Sequence, residues 1–284
     1  MSRLFGATLV VAASSVPFAA CASQGSVGDD QIARQNAIML ESTQGAGFGP
    51  QSPRDIGVPE GTNPRVFAPA PAMVQMNLCN IHLHEGAEHR GGEFTTYAGN
   101  GNGAGYGTGF LYDGNLTHEE LAAVDFEVGE AEHGTLEPGD TIEVHFVFST
   151  AEVVPGATLA ACLDPETRNP QLRVEAQVFV LVNDDAAADF SEIAAVQTVA
   201  GFAQAVGIPA DTGAPIVYLG STTGPSYNKT ASPFQVTWSV RPSVARLSIA
   251  SLAEWLEHNP FGEHHAHGVR NLVVAPELLS PMSN

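Results

Sequence analysis

A mostly β protein with a central twisted sheet and short peripheral helices is the fold class predicted for this chain of 284 residues, and three observations predict it. Turn formers are abundant, with 29 Gly and 19 Pro, which cuts the chain into short elements and argues against a helical bundle. Four runs, residues 73–84, 141–150, 173–182 and 234–240, are rich in β-branched and aromatic residues and are bounded by turn segments such as Gly99-Asn100-Gly101-Asn102-Gly103. Only short stretches read as helix: residues 117–123, 189–196 and 251–258, the last two amphipathic by spacing. The composition, 44% hydrophobic and 15% charged, is that of a globular chain, and all-β domains of about 200–250 residues commonly form one unit. One large domain over residues 65–284 is therefore expected.

The first 22 residues have the pattern of a secretory signal: Arg3, an apolar stretch from Leu4 to Ala13, then small residues up to Cys21. That stretch is too short for a spanning helix, which needs about 20 apolar residues. Two cleavage readings compete. Phe18-Ala19-Ala20-Cys21 resembles a lipobox, which would make Cys21 the mature N-terminus and a lipid anchor, whereas cleavage after Ala20 or Ala22 would release the chain. Either way the expectation is an exported protein, periplasmic or lipid-anchored to a bacterial envelope. Cys79 and Cys162 then mature in an oxidising compartment and most simply form one disulfide, the alternative being two separate buried thiols. Residues 23–64 are polar and rich in Gly, Pro and Gln, with one short helix expected near residues 31–41, and read as a leader or an N-terminal wrap over the core.

The 11 basic residues against 31 acidic ones leave a net charge of −20, which argues against a nucleic-acid partner. Lys229 is the single lysine, so no polybasic membrane patch exists either.

Chemistry concentrates on two of the strands. His82 and His84 are two residues apart, so a pleated strand points both imidazoles to one face and sets Cys79, Ile81 and Leu83 on the other. In the second strand Ile142, Val144, Phe146 and Phe148 share one face, with Glu143 and His145 opposite. Three histidines supply three neutral nitrogen donors and leave the fourth position of a tetrahedral zinc open, which is a catalytic pattern rather than a structural one. An H-x-H pair alone is more often a pair of hydrogen-bonded histidines.

The surrounding residues add to this. Ile81-His82-Leu83-His84 leads into Gly86-Ala87-Glu88-His89 and later into Ile142-Glu143-Val144-His145-Phe146-Val147. This resembles the zinc strands of alpha-class carbonic anhydrases, and the block from Cys79 to Phe94 is more similar still to the delta class and its bacterial carbonic-anhydrase-like relatives. The likeness runs from about Met73 to Leu279 and implies an alpha-carbonic-anhydrase-like sheet. It also implies zinc held by His82, His84 and His145, and interconversion of carbon dioxide and bicarbonate by a zinc-activated water whose pKa falls from about 15.7 to about 7. Glu143 would orient a ligand imidazole.

Tyr218-Leu219-Gly220-Ser221-Thr222-Thr223-Gly224-Pro225 resembles the Thr-Thr turn of the alpha class, followed by Val236-Thr237-Trp238. The resemblance implies that Thr222 accepts the nucleophile's proton and donates its own to Glu88. It also implies that Val147, Thr223 and Trp238 belong to the substrate pocket. Gly224 in place of a proline and a longer stretch before Trp238 leave Thr222 versus Thr223 open. The histidine shuttle of the alpha class precedes the H-x-H strand, and this chain has no histidine before His82. His89, His133 and the His264–His267 cluster stand as substitutes. A zinc hydrolase acting on esters and a metal-holding protein without turnover are the alternatives, and retention of Glu88, Thr222 and Glu143 beside the ligands favours activity.

Overall fold

The computed structural model describes residues 26–45, 52–64, 68–129, 134–223 and 231–283. The signal segment with Cys21, His133 and the Gly224-Pro225 end of the Thr-Thr turn lie outside these, as does the side chain of Thr223.

Helix α1 (Asp29–Thr43) is the first element of the described residues, with Asp29 and Asp30 in its first turn where the helix dipole favours negative charge. Strands β1 (Asn77–Glu85), β2 (Thr96–Asn100), β3 (Thr108–Leu111), β4 (Thr141–Ser149) and β5 (Leu172–Val182) follow. The second half carries α2 (Phe190–Ile193), β6 (Val196–Val199), β7 (Phe202–Ala205), β8 (Ile216–Thr223), β9 (Ala231–Val240), β10 (Ala245–Ser248), α3 (Ile249–Glu257), β11 (His267–Gly268) and β12 (Met282–Ser283). Among the described residues, eight strands make one mixed sheet in the order β11-β1-β4-β5-β9-β8-β12, with β10 pairing the far half of β5. The chain is thus mostly β around a central sheet, in line with the predicted class.

The two faces of the sheet do different work. One carries Ile81, Leu83, Ile142, Val144, Phe146, Phe148, Phe179 and Leu181, and buries them against Phe190 of α2 and Leu252 and Trp255 of α3. Those helices start where side chains cap them: Asp189 Oδ1 accepts from the Ser191 and Glu192 amides, and Ser248 caps α3. The opposite face gathers Val147, Val174, Ala176, Tyr218, Val236 and Trp238 around the histidines. Because β4 lies in the interior of the sheet, all nine of its residues are buried, so its polar Glu143 and His145 must find partners inside the protein.

Three sequence expectations are corrected. Cys79 does not share a face with Ile81 and Leu83, because the β1–β4 register shifts between Leu78 and Asn80, and this bulge turns Cys79 toward Val147 on the histidine side. There it forms a disulfide with Cys162, with the Cα atoms 4.9 Å apart. Residues 117–123 make a hydrogen-bonded turn instead of a helix. Thr117 and Glu120 exchange side-chain-to-backbone bonds in the manner of a helix start, but the segment is mostly exposed and has no apolar face to bury, so it does not propagate. Residues 73–75 form a 3₁₀ turn before β1, since the side-chain amide of Gln204 captures the Met73 and Met76 carbonyls.

Candidate metal centre

His82 and His84 project from β1 and His145 from β4, and the antiparallel register sets His82 opposite His145 and His84 opposite Glu143. One nitrogen of each of the three rings lies within 4.8 Å of the others, a grouping that could hold a metal ion. The sharp reversal after β1 depends on Gly86, whose φ is +85° and whose Cβ position would fall on the Thr108 carbonyl.

Each ring is held by its outer nitrogen. His82 Nδ1 lies 2.8 Å from Asn80 Oδ1, His84 Nδ1 lies 3.2 Å from the Gly268 carbonyl, and His145 Nε2 lies 2.9 Å from Glu143 Oε1. All three partners are acceptors, so the outer nitrogens donate and the inner ones present lone pairs in the neutral rings. His82 Nε2 and His145 Nδ1 then face each other at 3.2 Å, a separation that two lone pairs tolerate only with a cation or a proton between them. Burial pushes His82 well below the usual histidine range, and burial pulls His84 down to about 4. Pre-oriented imidazoles in a convergent set, two of them held neutral by burial, are donors of the kind zinc requires, and the residues fit it.

Glu143 has no solvent contact, and its charge is met from two sides. Besides His145 it receives the backbone N–H of His89 at 3.0 Å, and its Oε1 lies 2.7 Å from His89 Nδ1. Burial alone would raise its pKa, yet His89 and His145 together hold it well below the carboxylate range. Burial likewise lowers His145, but the bond to Glu143 and that carboxylate's charge more than offset it. The network continues from His89 Nε2 to the Tyr218 hydroxyl at 2.6 Å and on to Ser52 Oγ at 2.9 Å. His89, Glu143 and His145 also form a second grouping of ligand-type atoms, but these groups satisfy one another by hydrogen bonds. His89 is fully buried in that network, which removes it as a carrier of protons to solvent.

A cavity of about 130 Å³ opens beside the three histidines, lined by Val147, Leu159, Val174, Thr222, Val236 and Trp238 and reached by Glu88 and Arg270. Glu88 is buried, and its Oε1 accepts the Arg270 backbone N–H at 2.8 Å. His267, with its side chain 44% exposed, lies at the edge of the site, its ring 6.1 Å from that of His84 and its Nε2 2.8 Å from Glu263.

Sequence reasoning missed Asn80, Ser52 and the Gly268 carbonyl, and it named His89 without its structural role. Asn80 was within reach, since it is the next residue on the His82–His84 face by simple alternation. Ser52 and Gly268 come from remote segments and leave no local signal.

The family model of delta carbonic anhydrase matches residues 73–251. Among solved structures, the chain is similar to an alpha-carbonic anhydrase from Photobacterium profundum, at 16% identity over 87% of this chain and 95% of that one, with a TM-score of 0.28. It is also similar to a hyperthermostable carbonic anhydrase from a hydrothermal vent chimney, at 16% identity, 82% and 86% coverage and a TM-score of 0.27. A third is the alpha-carbonic anhydrase from Thermovibrio ammonificans in complex with sulfanilamide, at 13% identity, 83% and 88% coverage and a TM-score of 0.26. No curated protein matches the chain.

Proposed function

Because the chain belongs to the delta carbonic anhydrase family, we propose that it is a zinc-dependent carbonic anhydrase, a lyase that interconverts carbon dioxide and bicarbonate. The observation that carries this reading is the convergence of three outward-anchored imidazoles beside a small, largely apolar cavity. Zinc bound by His82, His84 and His145 supplies a Lewis acid that makes water nucleophilic near neutral pH.

The protein's own groups do the rest. Glu143 holds His145 in the ligating tautomer. Thr222 would accept a hydrogen bond from the attacking oxygen and donate its own hydroxyl to the Glu88 carboxylate, which would aim the oxygen's lone pair at the substrate. Glu88 keeps its carboxylate in place through the Arg270 amide. Val147 and Trp238 belong to the wall that receives carbon dioxide, and Thr223 follows Thr222 as the last residue of β8. The Cys79–Cys162 disulfide supports maturation in an oxidising compartment, and with it export, either as a periplasmic protein or as one anchored through Cys21.

The test is stopped-flow carbon dioxide hydration on the purified protein, with its metal content measured alongside. One zinc per chain and turnover that disappears on chelation and returns with zinc are expected. Zinc-loaded protein without hydration would point to the metal-holding alternative, and ester cleavage without hydration to a hydrolase.

A further inference from the structure

Besides placing Leu159 in the cavity wall, the loop between β4 and β5 reaches the histidine cluster through the Gly156 backbone carbonyl. Cys162, near the middle of this loop, is bonded to Cys79 of β1. Gly156, six residues before it, donates its N–H to the Cys79 carbonyl at 3.0 Å and accepts Asn80 Nδ2 at 3.0 Å. A carbonyl can only accept, so the nitrogen of the Asn80 amide must face Gly156. The amide oxygen is thereby turned to His82 Nδ1 at 2.8 Å. Asn80 is 1% exposed, so water does not substitute for either partner.

Without Gly156, nothing in this set of bonds distinguishes the two ends of the Asn80 amide. A reversed amide presents a donor to His82 Nδ1 and favours the tautomer carrying hydrogen on Nε2, which cannot ligate a metal. The loop also holds an unfavourable backbone conformation: Thr158 has φ of +59°, while its side chain accepts the Ala160 N–H. A segment with such a conformation needs an external restraint, and the disulfide supplies one four residues later.

We propose that the Cys79–Cys162 crosslink positions the metal centre: by keeping Gly156 on Asn80 it keeps the Asn80 oxygen on His82, and so sets how long the metal is retained. This rests on the reading of His82, His84 and His145 as zinc ligands. Asn80 is a positioning residue, acting on the metal through His82.

Zinc release from the loaded protein into an excess of chromophoric chelator tests it, on wild type, Cys79→Ala/Cys162→Ala, Asn80→Ala and the triple variant, each shown folded by thermal melting. Removing the crosslink and removing the Asn80 amide should each speed release by about 10-fold or more, in the range that loss of an outer partner of a ligand typically produces. The triple variant should release no faster than Asn80→Ala alone, because both changes break one chain of contacts. Wild-type release from the folded crosslink-free protein, or effects that multiply, would overturn the coupling. Should the crosslink-free protein not fold, reducing the crosslink with a phosphine in zinc-loaded wild type and in zinc-loaded Asn80→Ala decides: reduction should speed release from wild type and leave Asn80→Ala unchanged, and equal acceleration in both, or none in wild type, counts against the proposal. Wild type that takes up no zinc would instead remove the site reading itself.

Discussion

At His145 two opposing forces meet in one ring: burial disfavours the charged imidazole, and the Glu143 carboxylate at 2.9 Å favours it. A ring held this way is a strong ligand, and its removal leaves two strand histidines with no third donor. His145→Ala is expected to lose most bound zinc and all hydration, read by metal analysis and stopped flow; full zinc and activity in that variant would remove the site assignment. Thr222 separates orientation from metal binding, since it lines the cavity but is not one of the three ligands. Thr222→Ala should keep its zinc and lose about 10²–10³ in hydration rate, the usual cost of one preorganised contact at a reacting centre. Glu88→Gln should lose less, because the amide still accepts the Arg270 N–H, and the two changes together should not multiply. If Thr223→Ala shows the loss instead, the roles at the end of β8 shift by one residue.

Between β1 and the 3₁₀ turn Leu159–Cys162, the disulfide spans a sequence separation of 83 residues. Closing a loop of that length is worth about 4 kcal/mol in chain entropy, so its removal should lower the melting temperature markedly, and non-reducing peptide mapping should recover the Cys79–Cys162 pair. Asp140 sits in the turn that leads into β4. Burial lifts its pKa from the ordinary 3.8 to about 6, against a stabilising Glu137 N–H and with further repulsion from Glu85 and Glu137. A carboxyl group raised in the folded state contributes stability below about pH 4 that is lost as the pH rises through 6. Asp140→Asn should therefore melt higher than wild type at pH 7.5 and match it at pH 4. An equal gain at both values would rule out ionisation as the cause.

Across the whole molecule, residues 52–64 hold the C-terminal segment, residues 273–282, in place. The Pro53 carbonyl accepts Val273 N–H, Thr62 donates to Pro276, and Asn63 donates to Leu279. At the centre of this wrap the fully buried Arg54 donates to the Val58 carbonyl at 2.6 Å and to that of Ser280, with its guanidinium 5.3 Å from the Tyr218 ring centroid. Tyr218 in turn touches His89 and Ser52, so the wrap that closes the fold also packs against the network behind Glu143. Arg54→Met keeps the volume and strands these carbonyls. A loss of about 2–4 kcal/mol in urea unfolding is expected, and a loss below about 1 kcal/mol would mean the wrap holds without the guanidinium.

Alternation and local composition determined a large part of this protein from sequence alone. Period-2 patterning is a property of each strand by itself, so His82 and His84 fall on one face, and Glu143 and His145 fall opposite Ile142 and Val144, before any partner strand is known. The tertiary structure decided what depends on register and on remote segments. The bulge at Cys79 arises from how β1 pairs with β4, and it turns the cysteine to the histidine side against its own alternation. The Gly268 carbonyl on His84 and the Ser52 hydroxyl on Tyr218 come from opposite ends of the chain, where only the folded sheet brings them to the site. Residues 117–123 carry the local signal of a helix start and stop after one turn, because a short helix needs a buried face that its own sequence cannot supply.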